Sequence, residues 1–281
     1  MVSMDRLLLT GSGKGQTEAM LKILMEIPLF KQSHVTVLHV VPPKINAEKM
    51  AQRLEEGKAV LAETRRSLKL DSSKSNAVLK EGDPKDIVCR VAEEIDANLI
   101  IMGSRGLNRI QSILENSTSQ YVFQLVSRPM LLVKDGLFLK KIRKVLITLD
   151  KSDASKQALN LALSMVKGIN GGQIIFVHVT PDLSTIPIRN DRPAEQNPIL
   201  APAVEEAQRL GVKYTCEAPV GPPGARIQQL AEDLDVDLIV MGSQDRRPPI
   251  ARKLPDFDRL FGNSLSDYIR IHAPCPLLLV R

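Results

Sequence analysis

The sequence predicts an α/β protein made of two tandem doubly wound domains, each a parallel sheet with helices on both faces. Short apolar runs rich in β-branched residues alternate with longer amphipathic stretches, which is typical of βαβ units. The whole pattern occurs twice along 281 residues. Aromatic residues make up only 3% and tryptophan is absent. The core must therefore be aliphatic, as suits helices packed on parallel strands.

The duplication is visible at a constant offset of 139 residues. Four separate segments agree on it, which is strong evidence for an internal repeat. We therefore expect a first domain over 1–135, a linker over 136–143 and a second domain over 144–281. The matched pairs are 99–104 with 238–243, 37–40 with 176–179, Gly82 with Gly221, and Ala19 with Ala158.

Each copy is expected to hold five strands. In the first copy we expect strands near 6–10, 34–41, 76–80, 97–102 and 129–134, and helices near 16–28, 47–68, 84–95 and 117–126. In the second we expect strands near 144–149, 173–180, 212–217, 236–241 and 276–281. The stretch 181–202 carries five prolines where the first copy has a helix. That helix should be shortened or replaced by a loop.

Composition excludes several classes of function. Three cysteines without CxxC spacing indicate neither a disulfide framework nor a zinc site. The first residues resemble neither a signal peptide nor a membrane span, so we expect a cytoplasmic protein without a membrane anchor. A net charge of +6 with few aromatics is weak evidence for nucleic acid, which we do not expect as a partner.

A glycine-containing loop after the fourth strand predicts an anion site. Gly103, Arg105 and Gly106 follow the strand, and Asn116, Ser117 and Thr118 open the last helix. Ligands of open parallel sheets bind beyond the carboxyl ends of the strands, and helix N-termini favour phosphate. A plain turn and a plain helix cap explain the same residues about as well.

Longer segments resemble the universal stress protein family. The run "GSRGLNRIQSILENSTSQYVFQLVSRPMLLVK" is similar to the family's C-terminal signature, "EGDPKDIVCRVAEEIDANLIIMGSRG" to the segment before it, and "HAPCPLLLV" at 272–280 to its closing strand. The resemblance covers nearly the whole chain, twice. It implies a strand order of 3-2-1-4-5 in each copy and pairing of the two copies through their last strands. Whether the fused pair also forms a homodimer stays open.

The resemblance also implies a nucleotide site with the motif Gly-x2-Gly-x9-Gly-Ser/Thr on the ATP phosphates. In the first copy Gly103, Gly106 and Ser117 match this motif, and Asn116 stands where its third glycine is expected. Asn tolerates a left-handed backbone better than most residues, so the loop shape is expected to survive. The resemblance further places the base against Val40 and Val41.

The two copies differ at the ends of their first strands and in their loops. Nucleotide-binding members carry an aspartate at the end of the first strand, where we place Thr10 and Gly11 in copy one and Asp150 in copy two. After Gly242, copy two replaces the second glycine by Asp245 and has eight extra residues before Asn263 and Ser264. We therefore expect copy one to be the better site.

The expected function is that of a cytoplasmic stress-response protein that binds ATP or another adenine nucleotide and signals by binding, with magnesium as a candidate counter-ion. The alternative is a nucleotide-free interaction module whose modified loops bind an unidentified protein. A slow ATP hydrolase has less support, because no catalytic residue or metal site is identifiable. His39 and His178 occupy equivalent strand positions and are interpreted as structural.

Overall fold

A computed structural model describes residues 3–11, 15–43, 46–69, 71–104, 118–181, 193–243 and 264–281. The described residues divide into two compact units, one formed by residues 3–136 and the other by residues from 137 onward. Among the described residues, no helix is both long enough and apolar enough to cross a membrane.

The described part of the first unit contains five strands and four helices. The strands are β1 (Arg6–Thr10), β2 (His34–Val41), β3 (Ser75–Glu81), β4 (Leu99–Ser104) and β5 (Met130–Lys134). The helices are α1 (Gln16–Met25), α2 (Ala47–Leu68), α3 (Pro84–Glu94) and α4 (Thr118–Leu125), with short 3-10 turns at Pro28–Phe30 and Ser72–Lys74.

The second unit repeats this plan. Its strands are β6 (Lys144–Thr148), β7 (Gln173–Val177), β8 (Lys213–Glu217), β9 (Leu238–Gly242) and β10 (Leu277–Val280). Its helices are α5 (Asp153–Lys167), α6 (Ala201–Leu210), α7 (Pro223–Asp233) and α8 (Leu265–His272), with a 3-10 turn at Ala194–Gln196. Helix α6 is much shorter than its counterpart α2, as the proline-rich stretch predicts. Strand β7 ends at Val177, three residues earlier than expected.

All strand pairs within each unit are parallel. The order is β3-β2-β1-β4-β5 in the first unit and β8-β7-β6-β9-β10 in the second, so the predicted order 3-2-1-4-5 is confirmed twice. In the first unit α1 packs on α2, and α3 packs on α4. The strand order reverses between β1 and β4, and such a switch point leaves a crevice at the carboxyl ends of the strands.

The core lies in the central strands. Leu7, Leu8 and Leu9 are consecutive, and all three are completely buried. Three consecutive buried residues require cover on both faces of the sheet, because side chains alternate between faces along a strand. This explains why the central strands read as continuous apolar runs rather than as alternating patterns.

The strand register corrects the repeat offset at the start of each copy. Arg6 pairs with His34, and Lys144 pairs with Gln173. His34 and Gln173 are 139 residues apart, whereas Arg6 and Lys144 are 138 apart. The offset of 139 is therefore wrong for the first strand and the helix after it, and Ala158 corresponds to Met20 rather than to Ala19. Asp150 then corresponds to Ser12, and Gly11 corresponds to Leu149.

Candidate functional site

A cleft of about 290 Å³ lies at the switch point of the first unit. The ends of β1, β2, β4 and β5 form its floor, and the first turns of α3 and α4 form one wall. The residues lining it are Thr10, Gly11, Leu38, His39, Val40, Pro84, Val88, Met102, Gly103, Ser104, Thr118, Ser119 and Asp135. Its volume is just below the range that is usual for small-molecule sites, roughly 300–1,000 Å³.

The end of β1 is held in place by its neighbours. Thr10 Oγ1 donates to the Ile101 carbonyl at 3.3 Å, and the Gly11 amide donates to the Leu38 carbonyl at 2.9 Å. His39 Nδ1 lies 2.9 Å from the Gly11 carbonyl oxygen. Because a carbonyl oxygen can only accept, the Nδ1–H donates, which fixes the imidazole against the cleft floor.

His178 makes the equivalent bond in the second unit. Its Nδ1 lies 2.8 Å from the carbonyl oxygen of Leu149, the counterpart of Gly11. Both histidines thus tie the end of the first strand to the second strand of their unit. This common hydrogen bond explains their equivalent positions without a catalytic role.

The two valines predicted to contact a base lie on opposite faces of β2. Val40 lines the cleft. Val41 is 2% exposed, and its Cγ2 lies 3.1 Å from the position that a Cβ on Gly57 of α2 would take. Val41 is therefore turned toward α2 and is not one of the residues that line the cleft. The reason is the alternation of side chains along a strand.

The glycine near the end of the fourth strand has different surroundings in the two units. A Cβ on Gly103 would lie 3.8 Å from Thr17 Cγ2, which is ordinary contact. A Cβ on Gly242 would lie 2.4 Å from the Ser155 amide nitrogen and 2.5 Å from the Ala154 carbonyl carbon. The backbone of α5 is therefore packed against β9 in the second unit, whereas α1 leaves space beside β4 in the first.

The phosphate-loop residues are only partly described. Arg105, Gly106, Asn116, Ser117 and Asn263 lie outside the described residues. Thr118 is the first residue of α4 and lines the cleft. Ser264 precedes α8, where its Oγ accepts from the Asp267 amide at 3.2 Å and so caps the helix.

Asp150 takes part in the local structure before α5. Its Oδ1 accepts from the Ser152 amide at 2.8 Å, and its own amide donates to Ser155 Oγ at 3.0 Å. Ser152 in turn caps α5, because its Oγ accepts from the Ser155 amide at 3.1 Å. Asp150 and Ser152 therefore stabilise the start of α5. The carboxylate of Asp150 is exposed.

A buried polar cluster lies beside the cleft floor. Glu18 accepts at Oε2 from Thr17 Oγ1 at 2.9 Å and at Oε1 from Thr64 Oγ1 at 3.2 Å, and all three residues are buried. Thr64 Oγ1 lies 3.8 Å from the position of a Cβ on Gly11. The cluster thus links α1 and α2 at the end of β1. Sequence reasoning missed it, because Glu18 is read as an ordinary first-turn acid.

Sequence reasoning also missed several residues of the cleft. Ser104 and Asp135 stand at the ends of β4 and β5, and Ser119 is the second residue of α4. Their position directly after strands, or in the first turn of a helix, is the signal that would have found them. Ser104 is 4% exposed, and its hydroxyl has no hydrogen-bond partner among the described residues.

Comparison with known proteins decides the family. The model of the universal stress protein family matches this chain twice, over residues 4–134 and 141–281. The chain belongs to the universal stress protein family. It is a tandem member, with one match for each copy of the repeat, and shares the stress-response assignment of that family.

Individual relatives of this universal stress protein cover it to different extents. Universal stress protein Sll1388 of Synechocystis is 26% identical over 157 residues, which are 49% of this chain and 97% of that protein. A universal stress protein structure from Archaeoglobus fulgidus superimposes with a TM-score of 0.77 at 21% identity, covering 99% of this chain and 97% of that one. A Pseudomonas aeruginosa structure reaches 0.64 at 14% identity, covering 99% and 93%. At these identities the structures support the fold.

Proposed function

We propose that this universal stress protein binds an adenine nucleotide such as ATP in the cleft of its first unit and signals by binding. The observation that carries the proposal is the open space at the switch point of the first sheet. There Gly11 and Gly103 line the cleft without adding side chains, and Thr118, the first residue of α4, lines it as well.

Charge at α4 supports an anionic ligand. The first amides of a helix have no partner within the helix, and they carry the positive end of its dipole. Thr118 adds a hydroxyl donor at the same place. A phosphate group at this end of the cleft would face the positive end of α4.

The second unit is packed more tightly at the matching glycine. A Cβ on Gly242 would lie 2.4 Å from the backbone of α5, whereas a Cβ on Gly103 would lie 3.8 Å from the Thr17 side chain. Asp150, which the resemblance assigns to the ligand, already accepts a hydrogen bond from the Ser152 amide. We therefore rank the first unit above the second as the nucleotide site.

Thr118→Asp tests this site with little risk to the fold. A carboxylate in the first turn of a helix is stabilising, but it repels a phosphate placed at the same end. Leu265→Asp is the matched control, since Leu265 is the first residue of α8 in the second unit and is 39% exposed. Repulsion should weaken ATP binding by Thr118→Asp by at least roughly tenfold.

The experiment has three readouts on the full chain. Mass spectrometry of the denatured protein identifies any nucleotide carried through purification. Thermal shift with millimolar ATP, with and without magnesium, measures stabilisation by a ligand that binds the folded state. Phosphate release measures turnover. No carried nucleotide and no thermal shift would contradict the proposal and favour an interaction module, while rapid turnover would favour a hydrolase. We also predict that magnesium accompanies the bound nucleotide and that the protein is cytoplasmic. Pairing of the two domains, and of two chains, is likewise a prediction.

A further inference from the structure

The carboxylate of Glu18 is buried in the first unit, between α1 and α2. The residue is 4% exposed, and within the described part of the chain its side chain accepts from two neutral hydroxyls, those of Thr17 and Thr64. Its place in the first turn of α1 gives it the favourable end of the helix dipole. Taking a carboxylate out of water is still costly, and an apolar residue of similar volume is often at least as stable at such a position. Stability alone therefore does not explain this carboxylate.

The second unit shows that the fold does not require a carboxylate at this helix position. By the register of the first strands, Glu18 corresponds to Lys156 of α5. Lys156 is exposed, and its ammonium group pairs with Asp153 at 2.9 Å. Helix α5 nevertheless packs on β6 and β9. The same position thus carries an exposed cation in one unit and a buried anion in the other.

Thr17 connects Glu18 to the ends of β1 and β4. Its Oγ1 donates to Glu18 at 2.9 Å and lies 3.5 Å from the Thr10 carbonyl oxygen, and its Cγ2 lies 3.8 Å from the position of a Cβ on Gly103. A hydroxyl has only one hydrogen, so the shorter bond to Glu18 decides where it points. Thr10 and Gly103 both line the cleft. The carboxylate therefore orients a side chain that lies directly behind the cleft floor.

Thr64 makes the matching connection from α2. Its Oγ1 donates to the other oxygen of Glu18 at 3.2 Å and lies 3.8 Å from the position of a Cβ on Gly11, which also lines the cleft. A threonine in a helix can instead turn its hydroxyl to a backbone carbonyl one turn earlier. The bond to Glu18 selects against that rotamer. One carboxylate thus holds a threonine from each of two helices behind the floor.

We propose that Glu18 is a positioning residue of the ligand cleft. It acts through Thr17 and Thr64, whose hydroxyls it orients, and it does not itself contact the ligand. By fixing both threonines it keeps the ends of β1 and β4 in the arrangement that receives the ligand. This inference rests on the proposed function, because it concerns the same site, but the order of the cleft floor is measurable without any ligand.

The test compares Glu18→Ala, Glu18→Gln and the matched control Lys156→Ala in the full chain. Alanine removes both acceptors, whereas the glutamine amide keeps the shape and can accept from one hydroxyl and donate to the other. In calorimetric titration Glu18→Ala should bind ATP roughly 2- to 30-fold more weakly, the range for residues that act on a site through their neighbours. Glu18→Gln should recover most of the affinity, and Lys156→Ala should bind as the unaltered protein does.

Hydrogen exchange detected by mass spectrometry, without ligand, measures the order of the floor. Peptides that cover the ends of β1 and β4 should exchange faster in Glu18→Ala and return to the unaltered rate in Glu18→Gln. Peptides from α3 and β5 should keep their protection in both variants. A general loss of stability would instead raise exchange throughout the first unit.

The outcomes separate this inference from the proposed function. If the unaltered protein binds no ATP, the proposed function is overturned, and exchange at the ends of β1 and β4 still decides the role of Glu18. The positioning role is overturned if Glu18→Ala binds ATP as tightly as the unaltered protein, if Glu18→Gln restores neither affinity nor protection, or if exchange rises evenly over the first unit. Should Glu18→Ala fail to fold, Thr64→Val takes its place with the same expectations, because it removes one hydroxyl from the carboxylate.

Discussion

Substitution of Gly242 by alanine should destabilise the second unit far more than the same change at Gly103 destabilises the first. The added Cβ at Gly242 would lie 2.4 Å from the Ser155 amide nitrogen and 2.7 Å from the Ser155 Cα. These are backbone atoms, so no side-chain rotation can relieve the clash. Either α5 must move away from β9 or the end of the strand must distort.

The size of the effect follows from this geometry. Overpacking typically costs about 1–3 kcal/mol, and a clash with backbone belongs at the upper end of that range. For a unit of this size each kcal/mol lowers the melting temperature by about 2–4 °C, so a fall of roughly 6–12 °C is expected. Gly103→Ala places its Cβ 3.8 Å from Thr17 Cγ2 and should change the melting temperature by less than about 2 °C.

Thermal denaturation of the full chain measures both variants, and hydrogen exchange detected by mass spectrometry assigns the loss to a unit. Peptides from α5 and β9 should lose protection in Gly242→Ala, while peptides from β1 and β4 keep theirs. Equal melting temperatures for the two variants would refute the conclusion that α5 closes the second unit at this point. A larger fall in melting temperature for Gly103→Ala than for Gly242→Ala would refute the same conclusion.

Three further predictions concern single side chains. Asp83 is the N-cap of α3, and its carboxylate accepts from the Lys85 amide at 2.9 Å. Asp83→Ala should lower the free energy of unfolding, measured by urea denaturation, by about 0.5–2 kcal/mol. Hydrogen bonding and charge from Arg128 hold the pKa of Asp96 below its usual value. The ionised Asp96 carboxylate therefore stabilises the folded protein above the unfolded pKa near 4, and this contribution is lost as the pH falls through the folded pKa. When the pH is lowered, Asp96→Asn should lose less folding free energy than the unaltered protein does. Burial, together with the negative charges of Glu195 and Glu217, raises the pKa of the Cys216 thiol to about 11. Alkylation of the Cys216 thiol, measured at pH 8, should be much slower in the folded protein than in the unfolded protein.

The fold was predictable because its signals are local and repeated. Continuous apolar runs such as Leu7–Leu9 require a sheet covered on both faces, and proline-rich residues 181–202 correctly indicate a shortened helix. The one-residue change in offset was not visible, because Ala19 and Ala158 happen to be identical. Only the pairing of Arg6 with His34 and of Lys144 with Gln173 shows it.

The candidate site was predictable only in outline. Strand ends and a helix start locate the cleft in sequence, and Thr10, Gly11, Val40, Gly103 and Thr118 all line it. Whether a side chain at a strand end faces the cleft, and whether it already has a hydrogen-bond partner there, depends on the strand register and on the element that packs behind it. Both are tertiary properties that the local sequence does not show.

Two missed features illustrate this limit. Val41 is turned to α2 by the alternation along β2, although it adjoins Val40 in sequence. The difference between Ser104 and Ser243 cannot be seen in the identical motif "MGS", since it depends on the partners that surround each hydroxyl. Identical sequence can therefore leave a buried hydroxyl with a hydrogen-bond partner in one unit and without a described partner in the other.

The most direct test of the central claim is the stoichiometry of ATP binding measured by calorimetric titration of the full chain. The account predicts one ATP per chain, with binding weakened by Thr118→Asp and unchanged by Leu265→Asp. Two equivalent sites, no binding, or loss of binding only in Leu265→Asp would contradict the claim that the open cleft of the first unit is the nucleotide site.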